Sequence, residues 1–238
     1  MRFVQQSVTN VSMNSYARYT SWVCWTSGLL TRSAFLAILC FTAGYGRCAP
    51  AAAPAKGTNW QSLFDGKTLK GWAITDFAGR GEVRVEDGKI ILDTGVMTGI
   101  TWTNPIVRTN YEVELEAMRV EGSDFFCGLT FPVGEAPCSL IVGGWGGGVV
   151  GLSSLDGEDA ANNETTQYMN FERGRWYRIR VRVMPAKIQA WVDQEKVVDV
   201  VTTDRKISIR SEVELSRPLG IATWSTTGAL RNIRIRSL

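Results

Sequence analysis

Carboxylates, tyrosine, lysine and arginine are the side chains with which this sequence could do acid–base chemistry, because its 238 residues include no histidine. The absence excludes Ser-His-Asp and Cys-His catalysis and the usual zinc sites that contain histidine. Glu112, Glu114 and Glu116 alternate along one segment, which in a strand places them on one face, successive members about 7 Å apart. Like charges this close could raise a pKa and supply a general acid. The alternative is a solvated face opposed by the arginines of residues 178–182.

Two other acidic positions are candidates for chemistry. Asp124 comes just before residues 126–128 and could face a cleft, although an aspartate in a turn needs no function. The loop that contains Asp156, Glu158 and Asp159 could bind Ca²⁺, which favours several oxygen ligands. Its spacing matches no EF-hand, and a solvated loop is the alternative. No other cofactor is expected.

Tryptophan is unusually frequent, with nine copies. From Leu219 to Trp224, the larger aliphatic residues share one strand face, whereas glycine, alanine and Trp224 share the other. Trp224 is therefore expected to project over small neighbours, where its flat ring suits stacking on a sugar; burial under a loop is the alternative. Trp145 lies among five glycines and has the same two interpretations. So many glycines indicate either a close approach of the backbone or a sharp bend.

Short strands are the elements that must position these residues. Residues 111–117 and 177–183 alternate between apolar or aromatic side chains and charged ones, as half-buried strands do. Asp87 and Gly88 join two further segments as a hairpin turn. No segment has a sustained period of 3.6, and the strands recur at regular spacing. The sequence therefore predicts an all-β sandwich or jelly roll.

Residues 1–55 are a separate segment in front of a single domain at residues 56–238. Arg32 precedes a short apolar run at 33–41, and small residues follow at 49–55, the order of a cleaved secretory signal peptide. The run is shorter than the ~20 apolar residues that a membrane span needs. The sequence predicts export to the periplasm or the extracellular space, with no stable membrane span in the mature chain. An uncleaved anchor is the alternative.

The net charge of +3 is unevenly distributed along the chain. Residues 1–55 carry four arginines and no acid, so the domain at 56–238 is close to neutral. This balance implies no basic face, and nucleic acid is not expected as a partner.

Two of the five cysteines, Cys127 and Cys138, lie in the domain. They flank a hairpin-sized segment, and export would permit a disulfide between them. Two buried free thiols are the alternative.

Several segments, in their order along the chain, resemble a known family. Residues 59–72, from Asn-Trp-Gln-Ser-Leu-Phe-Asp-Gly to Lys-Gly-Trp, are similar to the opening signature of the 3-keto-disaccharide hydrolase domain family. Residues 85–90, 176–192 and 218–235 resemble its next hairpin, later core and closing strands. The resemblance implies a concanavalin A-like β-sandwich with a ligand groove on the concave sheet. It also implies cleavage of glycosides oxidised at C3, where a ketone acidifies the C2 proton and permits elimination followed by hydration.

The resemblance also bears on single residues. Glu116 matches a glutamate often seen in the family's corresponding strand. Pro132 stands where members usually have an arginine, and Trp224 stands where they often have a histidine. We expect a hydrolase or lyase acting on 3-keto-glycosides, with Glu116 and Asp124 as catalytic candidates. Trp224 is expected to line the groove and Trp145 to reach its rim. The alternatives are a non-catalytic carbohydrate-binding module, because the arginine and histidine are missing, and a structural domain at the cell surface.

Overall fold

The computed structural model describes residues 59–238, and the predicted signal segment lies outside this range. The strands, in chain order, are β1 Gln61–Ser62, β2 Trp72–Ile74, β3 Val83–Glu86, β4 Lys89–Leu92, β5 Met97–Trp102, β6 Tyr111–Gly122, β7 Cys127–Val133, β8 Ala136–Gly144, β9 Val149–Ser153, β10 Gln167–Tyr168, β11 Trp176–Met184, β12 Lys187–Val192, β13 Glu195–Val201, β14 Gly220–Trp224 and β15 Thr226–Ser237. A 3-10 helix, Ser211–Ser216, lies between β13 and β14. Among these described residues, no helix is long and apolar enough to cross a membrane.

The strands form two antiparallel sheets that pack face to face. One sheet has eight strands, in the order β13-β12-β11-β6-β15-β4-β3 with β1 on β15. The other has seven, in the order β10-β9-β8-β7-β14-β5-β2. Alternation directs Val113, Leu115 and Val181 of the first sheet against Leu129, Leu140 and Ile221 of the second, in one continuous core. The predicted β-sandwich is confirmed, and each sheet keeps an outer face on which other residues can act.

The outer face of the eight-stranded sheet carries the charges that alternate along β6 and β11. The register places each glutamate of β6 between one arginine of β11 and one of β15. This gives three rungs, Arg182–Glu112–Arg236, Arg180–Glu114–Arg234 and Arg178–Glu116–Arg231. The glutamates are therefore opposed by arginines, as in the second of the two arrangements that the sequence allowed. The face is not solvated as that arrangement predicts, however, because Glu112 and Glu114 are buried.

These rungs make stability depend on acid pH. Burial opposes ionisation of Glu112 and Glu116, but hydrogen bonds and charges from their arginines outweigh it and lower the pKa of both carboxyls. A lowered folded pKa contributes stability above the unfolded value of about 4.3, and that stability is lost as the pH falls through the folded pKa. We expect the melting temperature to fall less steeply below about pH 4 in the double variant E112Q/E116Q than in the wild type. The exposed control Glu121→Gln should keep the wild-type slope, and an unchanged slope in the double variant would refute this account.

The two cysteines of the domain are buried and free. The register of β7 with β8 pairs Cys127 with Val142 and Phe131 with Cys138. The cysteines are thus four positions out of register, roughly 13 Å along the strand, whereas a disulfide needs Cα atoms within about 7 Å. The predicted disulfide is not formed, because the β7–β8 turn lies two residues beyond the midpoint between the cysteines.

Both thiols should resist modification in the folded protein. Burial raises the pKa of the Cys138 thiol to about 12 and raises that of Cys127 as well, so little reactive thiolate forms. We expect iodoacetamide to leave both unmodified in native protein and to alkylate both in denaturant without reductant. Mass spectrometry of the peptides that contain Cys127 and Cys138 measures this, and a pair of linked peptides would overturn it.

Candidate functional site

A pocket of about 240 Å³ opens on the outer face of the seven-stranded sheet. Met97, Ile141 and Val213 form its apolar part. Beside them, the outward positions of the strands are occupied by small residues that leave room for aromatic rings. A Cβ atom on Gly128 would lie 2.9 Å from the ring of Phe125, so a larger residue there would displace that ring. We call this site the tryptophan pocket, after Trp145 and Trp224 in its lining.

Trp224 lies on the outer sheet face, as the alternation along its strand predicts. Its ring is partly buried and packs against Phe125, with centroids 6.4 Å apart and planes tilted by 40°. It also lines the tryptophan pocket, so the same side chain packs against a hydrophobic cluster and forms part of the pocket wall. Trp145 lies at the rim and is 45% exposed. Two aromatic surfaces therefore border the pocket, one packed in place and one accessible to solvent.

The glycine-rich turn that carries Trp145 is held by Arg119. This arginine points inward from β6 and is only 5% exposed. Its Nη2 donates hydrogen bonds to the carbonyl oxygens of Asp124, Gly143 and Gly147, at 3.2, 3.1 and 2.8 Å. A Cβ atom on Gly143 would lie 2.5 Å from Arg119 Nη2. Gly143 also has a φ of +80° and lies where the pairing of β8 with β9 shifts register. Glycine is therefore favoured here both by a close approach and by a bend, the two explanations that the sequence offered.

Asp124 joins the same turn to the pocket. Its Oδ1 accepts a hydrogen bond from the amide of Phe125 at 2.7 Å, and its Oδ2 accepts one from the amide of Gly146 at 3.3 Å. Among residues 59–238, no lysine or arginine nitrogen forms an ion pair with this carboxylate. Backbone amides therefore fix the direction of the carboxylate and no ion pair engages its oxygens, while the buried guanidinium group of Arg119 is close enough to interact with its charge. A carboxylate held in this way can act as a general base.

A row of hydroxyl groups crosses the sheet beside the pocket. Thr130, Ser139 and Ser153 are neighbours in register on β7, β8 and β9. Thr130 and Ser139 share a hydrogen bond of 2.8 Å. Ser153 is 1% exposed, and its Oγ has no hydrogen-bond partner among the described residues, although the residue lines the pocket. A buried hydroxyl without a partner costs about 1–3 kcal/mol, so the hydroxyl of Ser153 has an unused hydrogen-bonding capacity beside the pocket.

The 3-10 helix brings charged residues to the rim of the pocket. Buried Val213 anchors the helix on the sheet. Arg210, the residue before the helix, donates hydrogen bonds to Glu212 at 2.6 Å and to Asp159 at 3.0 Å. The hydrogen bond from Arg210 lowers the pKa of Glu212, so this second carboxylate is ionised and already paired.

The acidic loop that could bind Ca²⁺ pairs with arginines instead. Asp156 is bonded by Arg205 at 2.5 Å, and Asp159 by Arg210. Between residues 59 and 238, no group of three or more His, Cys, Asp or Glu side chains is placed to hold a metal ion. Asp156, Glu158 and Asp159 therefore do not form a cluster of calcium ligands in this structure.

The structure separates the two catalytic candidates from the sequence. Asp124 lines the tryptophan pocket together with Trp145 and Trp224. Glu116 lies on the outer face of the other sheet, where Arg231 and Asn232 donate hydrogen bonds to it at 2.7 and 3.0 Å. It is therefore not part of this site.

Sequence reasoning did not find the roles of Arg119, Ser153, Arg210 and Glu212. The sequence does contain a signal for Arg119. It lies at an alternate position of β6 in step with Leu115 and Ala117, so it points into the core with them. No comparable signal marks Ser153 or the rim pair, whose positions depend on pairing across the sheet and on the path of a loop.

Comparison with known proteins gives a family and a fold. The sequence model of one family, described as the 3-keto-alpha-glucoside-1,2-lyase-like domain, matches residues 59–236. The solved structure of Crh5 transglycosylase in complex with NAG is similar, with a TM-score of 0.52 and 12% identity over 78% of this chain and 88% of that chain. Domain 4 of AbnA, a GH43 extracellular arabinanase from Geobacillus stearothermophilus, has a TM-score of 0.50 and 15% identity over 76% of this chain and 92% of that chain. At these identities the two structures show the fold alone. No curated protein matches the chain.

Proposed function

Because the chain belongs to the 3-keto-alpha-glucoside-1,2-lyase-like domain family, we propose that its tryptophan pocket binds a glycoside oxidised at C3 and cleaves the glycosidic bond. Membership already places the chain among carbohydrate-active, glycosyl hydrolase-like domains. The observation that carries the finer proposal is the Asp124 carboxylate in an apolar pocket bordered by Trp145 and Trp224. A base beside two aromatic surfaces is what abstraction of a proton from a bound sugar ring requires.

The proposed reaction proceeds by elimination and then hydration. Asp124 takes the proton from C2, and the C–H electron pair forms an enolate whose negative charge rests on the C3 oxygen. The enolate then re-forms the C3 carbonyl, creates the C1–C2 double bond and expels the C1 oxygen. Protonated Asp124 passes its proton through a water molecule to this oxygen, which leaves as an alcohol, and the Asp124 carboxylate is restored. Finally, water adds its oxygen to C1 and a proton to C2, which gives the free 3-keto sugar.

The other residues of the pocket support this assignment. Trp224 and Trp145 offer planes for the apolar faces of the sugar, and the hydroxyl of Ser153 is available to donate to a sugar oxygen. Asp124 is preferred to Glu212 as the base, because the ion pair with Arg210 lowers the basicity of Glu212.

A second function, carbohydrate binding without cleavage, is favoured by one observation. The residue whose ring borders the pocket is Trp224, at the position where the resemblance predicts a histidine. A pocket that lost such a group while retaining aromatic planes would still bind a sugar.

Incubation of the purified protein with 3-keto-trehalose separates the two functions. We expect release of free monosaccharide from the keto sugar and none from unoxidised trehalose, which lacks the acidified C2 proton. Binding of the keto sugar in a calorimeter without any release would support the binding module and end the proposal of catalysis.

Replacing Trp224 by alanine should weaken binding of the sugar more than it harms the fold. We expect the affinity to fall by about 10- to 100-fold, since an aromatic anchor contributes of order 1–3 kcal/mol. The free energy of unfolding should fall by less than the about 3–5 kcal/mol typical of a fully buried Trp→Ala change, because this ring is only partly buried. Calorimetric titration and thermal melting measure the two effects. Trp191→Ala, on the other sheet, is the control that should leave sugar affinity unchanged; unchanged affinity in Trp224→Ala would exclude the platform.

We also propose that the protein is exported. The support is the sequence alone: a basic residue, the apolar run at 33–41 and the small residues at 49–55.

A further inference from the structure

The three rungs concentrate positive charge on the outer face of the eight-stranded sheet. They contain six arginines and only three glutamates, an excess of three positive charges. The near-neutral composition of the domain concealed this excess, because the balancing acids lie elsewhere in the sequence. This face is on the opposite side of the sandwich from the tryptophan pocket.

Two of the arginines are not used by the rungs themselves. Glu112 pairs with both of its arginines, whereas Glu114 pairs only with Arg234 and Glu116 only with Arg231. Among the residues that the structure describes, Arg178 and Arg180 therefore have no carboxylate within ion-pair distance. They lie two positions apart on β11, so their side chains leave the strand about 7 Å apart on the same face.

Aromatic rings hold five of the six arginines of this face in place, and of the two free arginines Arg180 is the one that is stacked. The guanidinium carbon of Arg180 lies 4.2 Å from the centre of the Trp191 ring. The same atom of Arg231 lies 4.1 Å from Trp176. Stacking of this kind restricts the side chains before any ligand arrives, which reduces the entropy lost on binding.

Arg178 also borders two shallow grooves. One has a volume of about 420 Å³ and is lined by Trp60, Asn232 and Arg234, with Glu114 and Glu116 of the rungs. The other has a volume of about 600 Å³ and is lined by Arg175 and Trp176, with the acidic residues Glu116, Asp193 and Glu195. The unpaired arginine thus lies where two grooves of polar and aromatic character meet.

We propose that this face docks an acidic polysaccharide, a chain of uronic acid residues, independently of the reaction in the tryptophan pocket. The planar guanidinium group matches a carboxylate in two parallel hydrogen bonds, and two free guanidinium groups on one face can take carboxylates of successive sugars. A nucleic acid fits less well, because the tryptophans are covered by arginines and are not free to stack on bases. The three glutamates would also repel a densely charged phosphate backbone.

Affinity electrophoresis of the purified full chain in gels that contain polygalacturonate tests the proposal. We expect retardation by polygalacturonate but not by neutral dextran, and a loss of at least about fivefold in affinity in R178Q/R180Q. Added salt should weaken the interaction, because exposed charges are screened. The matched control is R80Q/K206Q, which removes the same charge from exposed loops elsewhere in the domain and should stay within about twofold of the wild type.

The outcomes that overturn the proposal are equal losses in the two double variants, equal retardation by dextran, or tighter binding to DNA or to anionic lipid vesicles than to polygalacturonate. Thermal melting checks that R178Q/R180Q is folded, and the single variant Arg178→Gln provides the same readout if the double variant is not. Trp224→Ala should retain polygalacturonate binding, so failure of this proposal and failure of the pocket's function are distinguished.

Discussion

Replacing Asp124 by asparagine should lower the rate of cleavage of a 3-keto-glycoside by at least about 100-fold, the contribution typical of a general base. Asparagine keeps the size of the side chain and one oxygen that can accept the hydrogen bond from the amide of Phe125. It gives up the longer bond from the amide of Gly146, which is exposed and can bind water instead. It cannot accept the C2 proton of the sugar. Affinity for the same sugar should therefore change by less than about threefold, since the aromatic surfaces and Ser153 are untouched. Single-turnover rates and calorimetric titration measure the two quantities.

Glu116→Gln is the matched control for this experiment. Both changes convert a carboxylate to an amide, but Glu116 lies on the outer face of the other sheet in contact with Arg231. We expect a wild-type rate from Glu116→Gln at a temperature at which the protein is folded. A rate loss in this variant with full activity in Asp124→Asn would reverse our assignment.

Replacing Arg119 by methionine should cost about 3–5 kcal/mol of folding stability, which for a domain of this size lowers the melting temperature by roughly 6–20 °C. Methionine fills much of the same space against Phe126, whose ring centre lies 5.1 Å from the guanidinium carbon. It leaves the carbonyl oxygens of Gly143 and Gly147 without their donor, and each unsatisfied buried group costs about 1–3 kcal/mol. The turn that carries Trp145 would also lose its main support.

Arg175→Met tests whether the loss comes from burial rather than from removing any arginine. Arg175 is exposed, stacks on Tyr177 and pairs with Asp193. Its replacement should cost no more than about 1 kcal/mol, as for other exposed ion pairs. If both variants lowered the melting temperature by the same amount, Arg119 would not be the support of the glycine-rich turn that we describe.

Local patterns were enough to predict the fold and one wall of the site. The alternation along β6 and β11 predicted half-buried strands, and the alternation along β14 placed Trp224 on an outer face. The crowding of glycines around Trp145 indicated a close approach of the backbone or a sharp bend, and Gly143 has features of both. These signals depend on neighbours within a few residues, which the sequence displays directly.

The remainder depends on contacts between distant segments. The partner that requires Gly143 to be a glycine is Arg119, which lies 24 residues earlier and on the other sheet. The disulfide prediction was wrong because the position of the β7–β8 turn decides which residues face each other, and that turn is not centred between the two cysteines. The alternation along β6 predicts that Glu116 points away from the core. Only the order of the strands shows that it does so on the eight-stranded sheet, whereas the tryptophan pocket lies on the seven-stranded sheet.

Cleavage of a 3-keto-glucoside in D₂O, with the product analysed at early times by NMR and mass spectrometry, tests the central claim most directly. Elimination followed by hydration adds a proton from solvent to C2, so our account predicts a free 3-keto sugar that carries deuterium at C2. The free 3-keto sugar incubated without protein corrects for spontaneous exchange, and Asp124→Asn should form almost none of the product. Saturation of the protein with the keto sugar without release of a monosaccharide, or release of a product that retains its original hydrogen at C2, would contradict the account.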